Sequence, residues 1–348
     1  MRKLLRRLGY FLTVIGAFVF VIGPIWERIE RQRAAEAFPA PGRLVDIGGQ
    51  KIQIDCRGEG APPTVVFESG LGPSGATDWL KVHDEVARFT RACAYSRAGV
   101  MWSDDKPGVH DGAGVAHDLH AALDATGERG PLVLVGHSLG GPYITIFTKL
   151  YGDRVAGLIY VDSSHPDQEK RFEAALGHPF KPPFIMDEGL KLAASLSWTG
   201  IARLGLMAMG PPQIEGVDES TTKIVMAFGP SSLAAVRAEA DALSQTFAEA
   251  GAARALGARP VVVLTAAKPP SDKMLSLMGL TRAEATKAQN FFFDMQDDLA
   301  SWSSRASHRT LDDSTHLIQF ERPDAVIDAV RSVVESIRAD DRSKGSTP

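Results

Sequence analysis

The segment with the clearest chemical meaning is Gly-His-Ser-Leu-Gly, residues 136–140, which follows the apolar run Leu132–Val135. A serine between glycines at the end of a predicted strand fits a nucleophile elbow, a sharp strand-to-helix turn that exposes the hydroxyl. The glycines two residues before and after the serine are required because the backbone approaches too closely there for side chains. The helix predicted after the turn favours developing negative charge at its N-terminus. Ser138 is therefore the candidate nucleophile.

Strands and helices alternate around this motif. After a hairpin that turns at Gly48-Gly49, apolar runs predict strands over 64–69, 91–96, 132–136, 155–162 and 259–266, with helices such as 112–127 and 141–152 between them. The last predicted strand is 307–313, and a closing helix is predicted over 322–338. This rhythm predicts an α/β fold with a mostly parallel sheet and helices on both faces. Residues of about 165–258 have helical stretches but no clear strand, which predicts a helical cap over the carboxyl edge of the sheet.

The elbow and these elements together resemble the α/β-hydrolase fold family, specifically its serine-dependent esterase-like members. The resemblance extends from about residue 43 to residue 338 and is weakest across the cap. It implies one hydrolase domain over 43–338, followed by a polar tail over 339–348 that we expect to be disordered. Relatives with dehalogenase or epoxide hydrolase activity carry aspartate at the elbow, so Ser138 argues against those two activities.

The resemblance also implies a catalytic histidine late in the chain, since a serine hydroxyl needs a base to become a good nucleophile. His316, in Asp-Asp-Ser-Thr-His-Leu, follows the last predicted strand and matches the family's Gly-His position, with Thr315 where glycine is common. His137 belongs to the elbow itself and is expected to point away from Ser138. His316 is therefore the candidate base.

The acid that orients the histidine has two candidates. In many family members it follows the strand that corresponds to Val261–Ala266, where this chain offers only Asp272 after two prolines. In others it follows the preceding strand, where Asp162 ends an apolar run. A carboxylate at the end of a buried strand needs a partner, which favours Asp162 over Asp272.

By resemblance, two backbone N–H groups form the oxyanion hole. Leu139, after the nucleophile, supplies one, and Leu71, between Gly70 and Gly72, supplies the other. The segment Tyr95-Ser96-Arg97-Ala98-Gly99 is similar to a family segment that often has aspartate at the second position. Arg97 and Trp102 are candidates for shaping this loop or lining a pocket, and packing is the favoured role of both.

The N-terminus predicts a membrane segment. Leu8–Trp26 contains no charged residue and follows Arg2, Lys3, Arg6 and Arg7, which favours a single-pass anchor over residues 1–33 with a cytoplasmic basic stub and an exported domain. The alternative is a cleaved signal peptide ending at Ala35-Glu36-Ala37, which would give a secreted form. Residues 34–42 are predicted to be a linker.

Composition limits the function classes. At 348 residues and 44% hydrophobic residues the chain can bury a large core, and a net charge of −4 argues against nucleic-acid binding.

The strand order that the family resemblance implies places Cys56 beside Cys93, so the two cysteines are either joined as a disulfide or packed as two thiols. Neither cysteine has metal-ligand spacing to another ligand, and no metal or organic cofactor is expected.

These observations predict a membrane-anchored serine hydrolase acting on a carboxylic ester or lipid-like substrate through an acyl-enzyme. Thioesters, amides, lactones and acyl transfer remain open, as does a non-catalytic binding protein with the same fold. Seven cap residues are candidates for an apolar acyl pocket: Phe180, Phe184, Ile185, Trp198, Met207, Met209 and Phe228. Oligomeric state is not predicted.

Overall fold

A computed structural model describes residues 16–177, 188–211 and 216–345, together with Lys3, Arg6, Arg7, Tyr10 and Thr13. Eight strands form one sheet in the order β1-β2-β4-β3-β5-β6-β7-β8. Strand β2 is antiparallel to both of its neighbours and all other pairs are parallel, which confirms the predicted fold class. The strands are β1 (Arg43–Asp46), β2 (Lys51–Arg57), β3 (Thr64–Glu68), β4 (Ala92–Ser96), β5 (Leu132–His137), β6 (Val155–Val161), β7 (Gly257–Ala266) and β8 (Ser303–Leu311).

The helices follow the strands in the alternation that the sequence predicts. They are α1 (Gly23–Ala37), α2 (Leu80–Ala87), α3 (Gly112–Thr126), α4 (Gly140–Leu150), α5 (Gln168–Leu176), α6 (Leu190–Leu196), α7 (Ile201–Met209), α8 (Glu219–Asp241), α9 (Leu243–Gly251), α10 (Asp272–Met278), α11 (Arg282–Ser301), α12 (Ile318–Glu321) and α13 (Pro323–Gly345). A π-helical turn, Phe18–Ile22, precedes α1.

Apolar side chains cover both faces of the sheet. Every residue of β3 and β5 is buried, because these strands are inner strands of a parallel sheet and read as continuous apolar runs. Helices α3, α4 and α11 pack on one face and α2 and α13 on the other. The nucleophile candidate therefore follows a fully buried strand.

Cys56 and Cys93 form a disulfide across β2 and β4. The two residues are directly opposite each other in the antiparallel register. The bond ties the hairpin strand β2 to the sheet.

Helices α5 to α9 lie between β6 and β7 and form the helical cap. The cap contacts the body of the domain through α8, whose Glu239 reaches the buried Arg97 after β4.

Two predicted boundaries differ from the structure. The expected linker over 34–42 begins inside α1, and Ala34 is buried against Val100, Met101 and cap residues, because its Ala-Ala-Glu-Ala sequence favours helix up to Phe38. The prediction of a disordered tail from residue 339 is wrong through residue 345, because α13 extends to Gly345 and no proline interrupts it before that point.

No single helix in the described ranges is both long and apolar enough to cross a bilayer. Leu190–Thr199 and Ile201–Met209 pass that test together, with a bend of 118° between them. The predicted anchor, Leu8–Trp26, lies partly outside the described residues.

Candidate active site

Ser138 lies at the turn between β5 and α4, with a φ of 51°. A Cβ on Gly136 would lie 2.5 Å from the carbonyl oxygen of Gly140, and one on Gly140 would lie 2.5 Å from that of Glu68. Both glycines are therefore required by close backbone contacts, and the positive φ holds the serine in a conformation that side chains rarely adopt. The segment has the geometry of a nucleophile elbow.

His316 and Asp162 form a short hydrogen bond. His316 Nδ1 lies 2.6 Å from Asp162 Oδ2, although 154 residues separate them. Asp162 is buried at the end of β6, where its Oδ1 accepts the backbone N–H of Ala266 at 2.8 Å. Partial desolvation opposes protonation of the half-exposed His316 imidazole, but the hydrogen bond and charge of Asp162, together with the charge of Asp78, outweigh it and raise the pKa of His316.

Asp272, the alternative acid, lies elsewhere. Its side chain is 90% exposed and pairs with Arg282 at the start of α10. The structure therefore brings Asp162, and not Asp272, to the imidazole.

His137 contacts the loop that carries His316, and the centroids of the two imidazole rings are 4.6 Å apart. Its Nε2 donates to the carbonyl oxygen of His316 at 2.8 Å, so Nε2 carries the proton, and Nδ1 is the acceptor for Gln319 at 3.3 Å. Burial and the charge of His316 lower the pKa of His137 to about 3, against the opposing effect of its backbone hydrogen bond. His137 is thus a neutral bridge that links the elbow to the loop carrying His316.

The loop after β3 lies against the elbow. A Cβ on Gly70 would lie 3.1 Å from Ser138 Cβ. The side chains of Leu71 and Leu139 pack in the same apolar cluster with Tyr143. These contacts place the loop after β3 beside the elbow, and the oxyanion-hole role of Leu71 and Leu139 stays a prediction.

Arg97 holds this loop in place, a loop-shaping role that the sequence analysis ranked below packing. Its guanidinium donates to the carbonyl oxygens of Ser69 at 2.8 Å and Gly70 at 2.7 Å. It also pairs with Glu68 at 2.7 Å and, through two nitrogens, with Glu239 of the cap at 2.8 Å. All three charged side chains are buried. No local motif identifies Glu239, because 142 residues separate it from its partner.

A family model with the description "Alpha/beta hydrolase family" matches residues 65–329. The chain belongs to this family. An uncharacterised vacuolar membrane protein of Saccharomyces cerevisiae is 30% identical to this hydrolase, over 35% of this chain and 19% of that protein. The chain spans between 18% and 51% of the length of its curated relatives.

Two solved structures show the same fold. A thermophilic esterase from Thermogutta terrifontis has a TM-score of 0.56 and 19% identity, with coverage of 84% of this chain and 97% of the esterase. A putative epoxide hydrolase from Pseudomonas aeruginosa has a TM-score of 0.59 and 16% identity, with coverage of 87% and 98%.

A cavity of about 90 Å³ in this alpha/beta hydrolase lies next to the loop that carries His316, since Leu317 lines it. Its polar wall includes Ser74, Thr77 and Asp78 from the loop after β3, and its other walls come from the cap and from Leu317 and Phe320. Burial raises the pKa of Asp78 to about 6, against the hydrogen bond with Ser74 and the charges of Arg97 and His316. No sequence motif identifies Asp78, because its charge comes close to His316 only in the folded structure.

The predicted acyl-pocket residues do not converge on this cavity. Trp198, Met207 and Met209 have large exposed fractions, and Phe228 is buried against Trp102 and Met101. Phe180, Phe184 and Ile185 lie outside the described residues. The apolar cavity wall comes instead from Val217 and Val225 of the cap with Leu317 and Phe320.

Two groups of metal-ligating side chains occur among the described residues, and both have other partners. Cys56 and Cys93 are joined as a disulfide. His165 Nδ1 accepts the backbone N–H of Asp167, so its Nε2 carries the proton towards Asp298. Arg171 and Arg254 pair with the same carboxylates. This donor set is built as an ion-pair network and does not fit a metal.

Proposed function

We propose that this protein is a serine hydrolase of carboxylic esters. The observation that carries the proposal is the 2.6 Å contact between His316 Nδ1 and Asp162 Oδ2 next to a nucleophile elbow at Ser138. Serine at the elbow, a histidine oriented by a carboxylate and two nearby backbone donors are the parts that acyl transfer through an acyl-enzyme needs.

In the proposed reaction, Ser138 Oγ attacks the ester carbonyl while His316 Nε2 accepts the hydroxyl proton. Asp162 keeps the imidazole in the tautomer with its proton on Nδ1 and stabilises the imidazolium. The N–H groups of Leu71 and Leu139 stabilise the oxyanion. The C–O bond then breaks, His316 gives its proton to the departing alcohol, and Ser138 carries the acyl group. Water, activated by His316, attacks the acyl carbonyl and releases the acid.

A serine-reactive fluorophosphonate probe and a panel of p-nitrophenyl esters of increasing chain length test this proposal. Wild type is expected to be labelled and to hydrolyse esters, and Ser138→Ala is expected to do neither. Asp162→Asn is expected to lower kcat by up to about 10⁴-fold, because the imidazole loses its orienting acceptor.

Asp272→Asn is the matched control, because Asp272 is exposed and expected to leave kcat unchanged. Labelling of the Ser138→Ala variant would refute the nucleophile. A larger loss in Asp272→Asn than in Asp162→Asn would refute the acid. A wild type that binds esters without labelling or turnover would be a binding protein.

We infer further that Leu8–Trp26 anchors the protein in a membrane with the hydrolase domain on the exported side. The uncharged run, the basic residues before it and the exposed Phe18, Phe20 and Val21 support this proposal. So does the Cys56–Cys93 disulfide, since such bonds persist in oxidising compartments. The relative from Saccharomyces cerevisiae is described as a vacuolar membrane protein. Resistance of the full chain to alkaline carbonate extraction tests the anchor, and loss of residues 1–37 from the mature protein would show cleavage instead.

A further inference from the structure

The N-terminal helix and the cap are joined by a buried ion pair. Arg203 of α7 donates from Nε and Nη2 to the two carboxylate oxygens of Glu27 in α1, each at 2.8 Å. Both residues are buried, and Arg203 also donates to the carbonyl oxygen of Ala227 in α8 at 3.0 Å. A two-bond pair of this kind fixes the orientation of α1 on the cap.

Close backbone contacts lie beside the ion pair. A Cβ on Gly23 would lie 2.2 Å from the carbonyl oxygen of Thr199, and one on Gly200 would lie 2.6 Å from the ring of Trp26. The rings of Phe20 and Trp198 are 5.9 Å apart. The N-terminal segment therefore crosses the bend between α6 and α7 and packs tightly against it.

Both elements expose large apolar side chains. We name the apolar platform as Phe18, Val21 and Ile22 of the N-terminal segment with Leu204, Met207 and Met209 of α7, all of them more than half exposed. Arg203 is the only charged residue in α7, and Glu27 neutralises it inside the protein. Large apolar side chains exposed together in this way usually mark an interaction site.

The ion pair and the helix geometry together limit where the cap can lie. The uncharged N-terminal run ends at Trp26, a residue type favoured at the membrane interface. A helix that enters a bilayer with Trp26 at the interface places Phe20, six residues earlier, roughly 9 Å deeper. Trp198 contacts Phe20 and reaches the same depth, which is the depth that amphipathic interfacial helices occupy.

We propose that the apolar platform inserts α7 of the cap into the outer leaflet of a phospholipid bilayer, beside the N-terminal anchor. The cap and the anchor then form one membrane-binding surface. This inference rests on the anchoring proposed above and does not depend on ester hydrolysis.

The test measures the depth of single labelled cysteines in the full-length protein. Met207→Cys, Phe20→Cys and Leu150→Cys are each labelled with an environment-sensitive dye under conditions that keep the disulfide intact. Each is then reconstituted into phosphatidylcholine–phosphatidylglycerol vesicles that contain a doxyl-lipid quencher. Leu150 is the matched control because it is exposed at the end of α4 opposite the elbow. Quenching is expected at Met207 and Phe20 and not at Leu150.

Each other outcome overturns the proposal. Quenching at Phe20 but not at Met207 would leave the anchor in place and exclude insertion of the cap. Absence of quenching at both positions would reject the anchor together with the cap insertion. Shielding of Met207 by a dimer, without quenching in vesicles, would assign the platform to a second copy of the chain.

A second measurement connects the platform to substrate access. Leu204→Glu is expected to lower hydrolysis of a vesicle-embedded fluorogenic lipid ester by about tenfold, because a charge on the platform weakens insertion. It should leave hydrolysis of soluble p-nitrophenyl acetate unchanged, as should Leu150→Glu with both substrates. Equal activity of Leu204→Glu and wild type on the vesicle ester would contradict insertion. If wild type hydrolysed neither the vesicle ester nor p-nitrophenyl acetate, the esterase proposal alone would be refuted, because the quenching result does not depend on catalysis.

Discussion

Replacement of Arg97 by lysine tests how the oxyanion loop is held. Arg97 donates to the carbonyl oxygens of Ser69 and Gly70 and to both Glu68 and Glu239. A lysine keeps the charge but has three donors at one point, so it cannot reach two carboxylates and two carbonyls at once. The loop that carries the Leu71 N–H is then less well positioned in Arg97→Lys.

The expected losses in kcat and in stability follow from the two parts of this network, the contacts of Arg97 with the loop carbonyls and its contacts with the two carboxylates. Complete loss of one oxyanion donor costs roughly 10²–10³ in kcat, so a misplaced donor is expected to cost about 10- to 100-fold. KM is expected to change little, because the oxyanion forms only in the transition state. Arg97→Met is expected to lose about 3–5 kcal/mol of stability, because it leaves Glu68 and Glu239 buried without a cation.

The assay is steady-state hydrolysis of p-nitrophenyl butyrate, combined with thermal unfolding and the rate of fluorophosphonate labelling. Arg91→Lys is the matched control, since Arg91 also pairs with a glutamate, Glu128, but is partly exposed and far from the elbow. A wild-type kcat in a folded Arg97→Lys would refute the positioning role. A fall in stability equal to that of Arg97→Met, with kcat per folded molecule unchanged, would make the role purely structural.

Three further predictions follow from the same structure. Asp78→Asn should shift the acidic limb of the kcat/KM profile to lower pH. The substitution removes a carboxylate that raises the pKa of His316, so the imidazole stays neutral at lower pH. A profile that does not move, or that moves to higher pH, would contradict this prediction. Replacement of Cys56 and Cys93 by alanine should lower the free energy of unfolding by about 4 kcal/mol, because the disulfide closes a loop with a sequence separation of 37 residues. Urea titration measures this change, and an unchanged midpoint would show that the bond adds no stability. Gly140→Ala should abolish fluorophosphonate labelling, because its Cβ would lie 2.5 Å from the carbonyl oxygen at the end of β3, and a normal labelling rate would refute the need for close approach.

The local parts of the site could be predicted from the sequence. A nucleophile elbow is a strand, a tight turn and a helix within a short segment, so Gly136, Ser138 and Gly140 are recognisable without the fold. The alternation of apolar runs and helical periodicity likewise predicted a parallel sheet, because each element buries its own apolar face. The identification of His316 as the candidate base required the resemblance to a family, because it depends on the position of this residue between the last strand and the last helix.

The triad acid is a residue for which the sequence left two candidates. Asp162 and Asp272 both follow apolar strands, and the sequence favours the first only because a buried carboxylate needs a partner. The structure adds the deciding facts, which are a 2.6 Å contact of Asp162 with His316 and an exposed Asp272 paired with Arg282.

The sequence by itself determined the strands and most helices of the hydrolase domain, their order along the chain and the identity of the candidate nucleophile, because all of these depend on residues within one or two turns of each other. Tertiary structure alone decided which distant charges meet. The pairs Arg97–Glu239 and Glu27–Arg203 join residues 142 and 176 positions apart. No periodicity encodes such pairs, because they arise only when the cap folds back over the sheet and over the N-terminal helix. In this hydrolase they connect the cap to the oxyanion loop on one side and to the proposed membrane surface on the other.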